Sequence, residues 1–500
     1  MGLQSFGFLA FLTVVALVYL HLPQRLQSPF LLLASWTFCL IAQPKLFWIT
    51  LALSAFTYFC GRGLAGAHKK AWLRTGIIGS LAILAFFKYF NFLEPALSVW
   101  GLQLPAIVMP LGISFYTFAS LSYLIDAARG DCAVETSFVR YSLFVTFFAT
   151  VTSGPICRAG QLLPQFEEEH RFDAPRTVAA LQLFALGLFK KVAIADVLGL
   201  LVNQIFGNYA AYGGLLLILG AFAYTFQLYF DFCGYSEMAR AVGLFLGLNL
   251  PENFKTPFFA TNFSGFWSRW HISLSSWLQD YLFMTLAWAD TGKLTRGRRD
   301  HLPAELCIFC VFFLSGFWHG NTLPFVVWGL LQALYRVGEE LLHRRLGRPK
   351  KKAPARVLWA KRAGVLLLWT FSMVFFRIGS GPVPADGTVG DAFAYLAGCF
   401  RGLSPVRFGG ELYSAVYNGF YANALMVSAY FVFIALCLAL AFWLDAQRGL
   451  HGKNKPAEVI LAGLRHRRVI YYLLVVAVLI GYILQSGGFG SAGFSLYANF

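Results

Sequence analysis

The run Tyr421–Asp445 reads YANALMVSAYFVFIALCLALAFWLD, and its one formal charge is its last residue, Asp445. At about 1.5 Å per residue, a helix of this length covers the roughly 30 Å hydrocarbon core of a bilayer. Inside that core only a helix or a closed barrel satisfies its own backbone hydrogen bonds. The next stretch carries Arg448, Lys453, Lys455, Arg465, Arg467 and Arg468, and an apolar run begins again near 469. This alternation of apolar run and short basic loop recurs along the chain and decides the fold class.

Working outward, about twelve apolar runs qualify as crossings. They lie near 5–22, 28–43, 46–61, 76–94, 109–126, 177–202, 213–233, 303–318, 323–338, 363–378, 421–445 and 469–485. The predicted architecture is an all-α polytopic membrane protein. Composition agrees: 58% of the 500 residues are hydrophobic and 13% charged, against about 25% charged in soluble domains. The 52 Phe suit lipid-facing and core surfaces, and the 47 Gly let helices approach closely in lipid.

The net charge of +17 would suggest nucleic acid as a partner in a soluble protein. Here the cations lie between apolar runs, so they read as topology signals and no nucleic acid is expected. Basic clusters at 62–74, 291–300, 344–362 and 448–468 all fall on one side of a twelve-span count, which predicts that this side is cytosolic. Arg25, the first cation, follows the first run. That order predicts both termini outside the cytosol and no cleavable leader. The sparsely charged loop 379–420 and the tail 486–500 are expected outside as well.

Two stretches fit no simple crossing. Tyr141–Pro155 is apolar but short. In 252–288, Trp267, Trp270, Leu274, Trp277 and Tyr281 recur at helical spacing. These stretches predict re-entrant or interfacial helices.

Ionisable groups within apolar context are the functional candidates. His319, in Ser315-Gly316-Phe317-Trp318-His319-Gly320, lies between two apolar runs. It reads either as a base for a buried hydroxyl or as a hydrogen-bonded core histidine. His271 lies beside Arg269 and either orients a substrate or anchors an interfacial helix. Asp231, flanking Tyr235, reads first as a member of a structural ion pair. Cys307 and Cys310 form a C-x-x-C with no second pair, so small buried residues are expected there, and no metal site is expected.

Several ordered motifs then carry a resemblance. They are Pro110-Leu111-Gly112-Ile113-Ser114-Phe115, Ser153-Gly154-Pro155-Ile156-Cys157-Arg158, Phe230-Asp231-Phe232-Cys233-Gly234-Tyr235-Ser236, Pro251-Glu252-Asn253-Phe254, Phe266-Trp267-Ser268-Arg269-Trp270-His271-Ile272-Ser273-Leu274 and Gly316-Phe317-Trp318-His319-Gly320. Together they resemble the membrane-bound O-acyltransferase family, in its bacterial branch of alginate O-acetylation and D-alanyl transfer proteins. The resemblance implies one domain over 1–500, with N-terminal helices (1–108), a catalytic core (109–340) and C-terminal helices (341–500), built around a central funnel. It implies that His319 and His271 are catalytic, and that Tyr497, three residues before the terminal Phe500, is an acyl relay. Trp267, Trp270, Trp318, Arg269, Asp231 and Tyr235 are the expected substrate-binding residues.

No bound cofactor is implied; acetyl-CoA is the expected donor substrate, entering from the cytosol. The expected partners are an extracytoplasmic SGNH-type acetyltransferase, polysaccharide synthesis and secretion proteins, and membrane lipid. The setting is a bacterial cytoplasmic membrane. D-alanyl or other acyl transfer to teichoic acid, lipid or protein is the alternative within the family. A polytopic transporter is the alternative outside it, and that class predicts repeated halves, which the sequence does not display.

Overall fold

The computed structural model describes residues 2–90, 107–289, 301–347, 353–381, 387–419, 424–451, 456–458, 463–464 and 466–486. Among the described residues every element is helical. They fall into two compact units, one of Met1–Leu188 with Gly234–Glu252, the other of Phe189–Cys233 with Asn253–Gly493.

The first unit contains α1 (Phe6–Tyr19), α2 (Gln24–Ala42), α3 (Phe47–Gly63), α4 (Lys69–Tyr89), α5 (Ile113–Arg129), α6 (Phe138–Thr146) and α7 (Ala174–Leu188). α5 is buried over most of its circumference. It begins at Gly112, with φ of 73°, where a Cβ would collide with the Val151 carbonyl. Only glycine takes that backbone conformation without strain and leaves room for Val151. α6 starts on the Ser137 side chain, which accepts from the Arg140 amide, and stops at Thr146. The chain from Phe147 to Gly154 is then buried but not helical, and it is satisfied locally. Thr150 and Val151 donate to Phe147 O, and Phe148 N donates to Ser35 Oγ at 3.3 Å. Tyr141–Pro155, expected to be re-entrant or interfacial, is thus a short helix followed by irregular backbone enclosed by protein.

The second unit contains a π-helical segment (Phe189–Asp196), α8 (Val197–Gly207), the first half of α9 (Gly214–Leu246), and two short helices, α10 (Phe263–Trp267) and α11 (Ile272–Trp277). There follow α12 (Ala304–His319), α13 (Leu323–Leu346), α14 (Ala355–Gly379), α15 (Val389–Gly398), α16 (Pro405–Gly419), α17 (Ala424–Ala446) and α18 (Arg467–Ser486). In the π-helical segment Lys191 Nζ lies 2.7 Å from Asp196 and 2.6 Å from Asp231. Gln485 Nε2 donates to Val192 O at 2.9 Å, so α18 satisfies a carbonyl of the irregular turn.

α12 and α13 pack through small residues. A Cβ on Gly316 would lie 2.6 Å from Phe325 O and 2.8 Å from Gly329 Cα. The two backbones therefore meet as small-residue helix pairs do in membranes.

All the predicted crossings overlap described helices. Among the described residues, six helices are long and apolar enough to span a bilayer: Gln24–Ala42, Lys69–Tyr89, Gly214–Leu246, Ala355–Gly379, Ala424–Leu450 and Arg467–Gln485. Phe6–Tyr19 and Ala304–His319 are apolar but shorter. The expected loop 379–420 contains α15, opened by a Thr388–Asp391 capping box, and α16. Its Gly-rich, sparsely charged sequence had pointed to a loop, but the cap supplies a helix start.

Candidate active site

His271 is placed by a short backbone pairing. Lys255 N donates to Arg269 O, and Ile272 N to Asn253 O, each at 2.9 Å. This pairing breaks the continuous amphipathic helix that Trp267 to Tyr281 had predicted. The break falls on His271 itself, in the left-handed region with φ 45° and ψ 54°. Such a conformation costs a non-glycine residue about 1 kcal/mol or more. Here the surroundings supply it: tertiary pairing overrides helical periodicity.

Asn253 Oδ1 accepts from Ser273 N at 3.1 Å, from Ser273 Oγ at 3.0 Å, and from His271 Nδ1 at 3.1 Å. A backbone N–H can only donate, so Ser273 N fixes which way the Asn253 amide faces. His271 Nδ1 must then carry a proton, and the lone pair sits on Nε2. The ring is 1% exposed, and burial pushes its pKa down to about 3. His271 is therefore a neutral imidazole with a defined tautomer. Phe232 meets it edge-on at 4.5 Å.

His319 is the last residue of α12 and is buried. Its ring lies 4.7 Å from that of Trp318, 4.9 Å from Trp328 at 90° and 5.1 Å from Phe376. Thus α12 presents the imidazole, while α13 and α14 supply aromatic walls. The Gly316–Gly329 approach, one turn before His319, sets how deeply the ring sits.

The two histidines stand at opposite ends of one aromatic chain. Trp270, adjacent to His271, lies 4.9 Å from Trp369. Trp369 lies 6.4 Å from Trp328, which faces His319. Trp267 joins both, at 5.7 Å from Trp369 and 6.2 Å from Trp328. Ring contacts therefore link Trp267 and Trp270, through Trp369 and Trp328, to His319, with Trp318 packed on His319 and His271 following Trp270 in the chain.

Arg269 is half-buried. Burial first, then the charge of Arg362, hold its guanidinium below the ordinary arginine range. Arg362 stacks on Trp359 at 4.5 Å and donates to Phe259 O. Asp231 is occupied by its pair with Lys191, the structural role its sequence context favoured. Tyr235 belongs to the first unit, where its hydroxyl bonds Thr152 Oγ1. Tyr497 and much of the basic clusters at 291–300 and 344–362 lie outside the described residues.

Sequence reading missed the walls of the site. Phe325, Trp328 and Gln332 recur at spacings of three and four on α13, as do Trp369, Ser372 and Phe376 on α14. That stripe was a readable signal, obscured because both helices are apolar around much of their surface. Asn253 sat inside a quoted motif without a role. Arg377 was absorbed into an apolar run. It is buried and donates to Gly381 O at 3.1 Å and Asn203 Oδ1 at 2.7 Å. Among the described residues it has no carboxylate partner, and it lies over the faces of Phe206 and Tyr224.

The indole N–H groups of Trp267, Trp328 and Trp369, and Gln332 Oε1, are buried without hydrogen-bond partners among the described residues. Each such group costs roughly 1–3 kcal/mol when left unmet.

Comparison with known proteins adds the chemistry. The family model described as MBOAT, membrane-bound O-acyltransferase family, matches residues 132–378. The chain is 36% identical over 338 residues to a probable alginate O-acetylase AlgI of Pseudomonas syringae pv. tomato, covering 65% of this chain and 63% of that relative's length. It is 35% identical over 380 residues to a probable alginate O-acetylase AlgI of Pseudomonas putida, covering 73% and 75%. It is 31% identical over 363 residues to a peptidoglycan O-acetyltransferase of Helicobacter pylori, covering 65% and 67%.

Proposed function

The chain belongs to the membrane-bound O-acyltransferase family, and from that premise we propose that it moves an acetyl group from acetyl-CoA in the cytosol toward a polysaccharide outside the membrane. The observation that carries this reading is His319. It is a buried imidazole at a helix end, walled by Trp318, Trp328 and Phe376, inside the segment matched by the family model. Imidazole is the side chain whose proton affinity suits removal of a hydroxyl proton near neutral pH.

In the proposed reaction the acceptor hydroxyl gives its proton to His319 as its oxygen attacks the thioester carbonyl. The C–S bond then breaks and the thiolate of CoA leaves with a proton. The neutral His271, its tautomer held by Asn253, orients the donor or acceptor through Nε2. Arg269 and the basic loops draw the donor's phosphates to the cytosolic mouth of the funnel. Tyr497 serves as an acyl relay on the outer side, from which an SGNH-type transferase passes the acetyl group to the polymer. The protein sits in the bacterial cytoplasmic membrane with both termini outside. The relatives' names favour acetyl over D-alanyl as the group transferred.

The test is O-acetyl content of exopolysaccharide from cells whose sole copy carries His319→Ala. We expect acetylation to fall to background at normal protein level. Unchanged acetylation would sink the assignment. Loss with Tyr497→Phe supports the relay; retention removes the relay and leaves the transferase.

A further inference from the structure

The apolar run that ends on Asp445 leads into the surroundings of His271. α17 continues into a π-helical turn, Gln447–His451, an irregularity that recurs at functional sites. Asp445 and Arg448, about one turn apart, are each 5% exposed. Both reach the pairing that places His271. In that pairing Asn253 O and Lys255 N are spent on Ile272 and Arg269. Two bonds on one side leave the intervening Phe254 carbonyl facing the other. There Arg448 Nη1 donates to it at 3.1 Å. Asp445 Oδ2 accepts from Tyr229 Oη at 2.7 Å. The Tyr229 ring in turn packs 5.9 Å from that of Phe254 and 6.0 Å from that of Trp270, the residue before His271. Gly449 closes the contact, since a Cβ there would lie 3.0 Å from Thr256 Oγ1. The end of α17 thus holds both sides of the pairing, although it lies beyond the segment 132–378 matched by the family model.

Burying a guanidinium and a carboxylate to brace one carbonyl and one phenol is costly, and ionisable groups inside membrane proteins mark function more often than packing. The pairing they brace has a demanding task. It rests on two backbone bonds, yet it keeps His271 in the left-handed region, with φ 45°. Such a conformation persists only where its surroundings over-determine it. We propose that Arg448 and Asp445 are positioning residues for His271. Arg448 fixes Phe254, and Asp445, through Tyr229, fixes Trp270. The two anchors set Asn253 against the imidazole, so that Asn253 Oδ1 meets Nδ1 and the lone pair stays on Nε2. The planar guanidinium suits this task better than a flexible ammonium, because its donors are held in a rigid fork. The use made of Nε2 rests on the acyl-transfer reading above; the restraint on the tautomer does not.

The test uses the full-length purified protein with isotope-labelled histidine nitrogens. A neutral imidazole protonated at Nδ1 gives a nitrogen resonance pattern distinct from one protonated at Nε2. His271→Gln identifies the signals of this residue among the nine histidines. Arg448→Met combined with Asp445→Asn removes a cation and an anion together, so the buried charge stays balanced and the fold is kept. In this double variant we expect the Nδ1–H pattern of His271 to give way to a mixture of tautomers. O-acetyl content of exopolysaccharide from cells carrying it as sole copy should fall on the order of tenfold or more at normal protein level. Arg448→Lys keeps a donor and should retain more of the Nδ1–H form and more acetylation than the double variant. An unchanged His271 spectrum in the double variant overturns the proposal, as does a spectrum that changes only in step with a lowered thermal midpoint. If the tautomers mix while acetylation holds, the positioning of His271 stands and its part in the transfer falls.

Discussion

Replacing Asn253 tests whether the tautomer of His271 is set by its neighbour. In Asn253→Ala the acceptor of three bonds disappears, and the Ser273 amide and the His271 Nδ1–H are left buried. At roughly 1–3 kcal/mol for each orphaned donor, the loss is on the order of 2–6 kcal/mol before relaxation. The left-handed backbone of His271 loses a restraint as well. We therefore expect a clear drop in thermal midpoint and near-complete loss of acetylation. Asn253→Asp is the informative partner. A carboxylate accepts the same three bonds, so stability should largely return. Its charge, however, favours the imidazolium, so the pKa of His271 should rise from about 3 toward the working range. Protonation of His271 should then add to the acid limb that His319 as general base already imposes, so acetylation should fall at a higher pH than in the unmodified protein. The measurement is O-acetyl content of polysaccharide produced across buffered pH, alongside thermal unfolding of the purified variants. If Asn253→Ala keeps both stability and acetylation, or if Asn253→Asp shows the same pH profile as the unmodified protein, the geometry assigned to His271 is wrong.

The same buried imidazole makes stability depend on pH. Its folded pKa lies below the unfolded value of 6.5, so below that pH the unfolded chain binds a proton that the folded chain refuses. Stability should fall by up to ~1.4 kcal/mol for each unit that pH drops between 6.5 and about 3. His271→Gln should flatten that slope in thermal unfolding measured against pH. Gly316→Val should force α12 and α13 apart, since even a Cβ meets Phe325 O at 2.6 Å. Overpacking of this kind costs about 1–3 kcal/mol, and the displaced His319 should lower acetylation by as much as ~10²-fold. Gly316→Ala should fall between the two on both measures.

The sequence exposed what depends on runs and order. Apolar length located the helices, and basic loops separated them, because the bilayer constrains both. His319 and His271 stood out as candidates because ionisable groups in apolar context are uncommon, and because they lay in ordered motifs. What stayed hidden depends on distance in sequence. His271 looked like a residue on an amphipathic helix because Trp267, Trp270, Leu274 and Trp277 keep helical spacing. Asn253 and Lys255 end that helix by pairing with Ile272 and Arg269, 19 and 14 positions along the chain, and helical spacing carries no signal of that pairing. Asp231 shows the reverse. Its partner Lys191 lies 40 positions earlier yet 2.6 Å away, and only a buried ion pair makes both charges tolerable there.

Trp328 and Trp369 show why the site's walls are harder to read than its histidines. An aromatic stripe on an apolar helix has packing as its ready explanation, and periodicity alone gives no reason to prefer another. The structure adds the state of single atoms: among the described residues each of these indole N–H groups lacks an acceptor and Gln332 Oε1 lacks a donor. Sequence names the atoms but not whether they are satisfied. The family's chemistry needs one base, which a motif can reveal. Whether a polar atom beside that base is satisfied is decided only once α13 and α14 have packed.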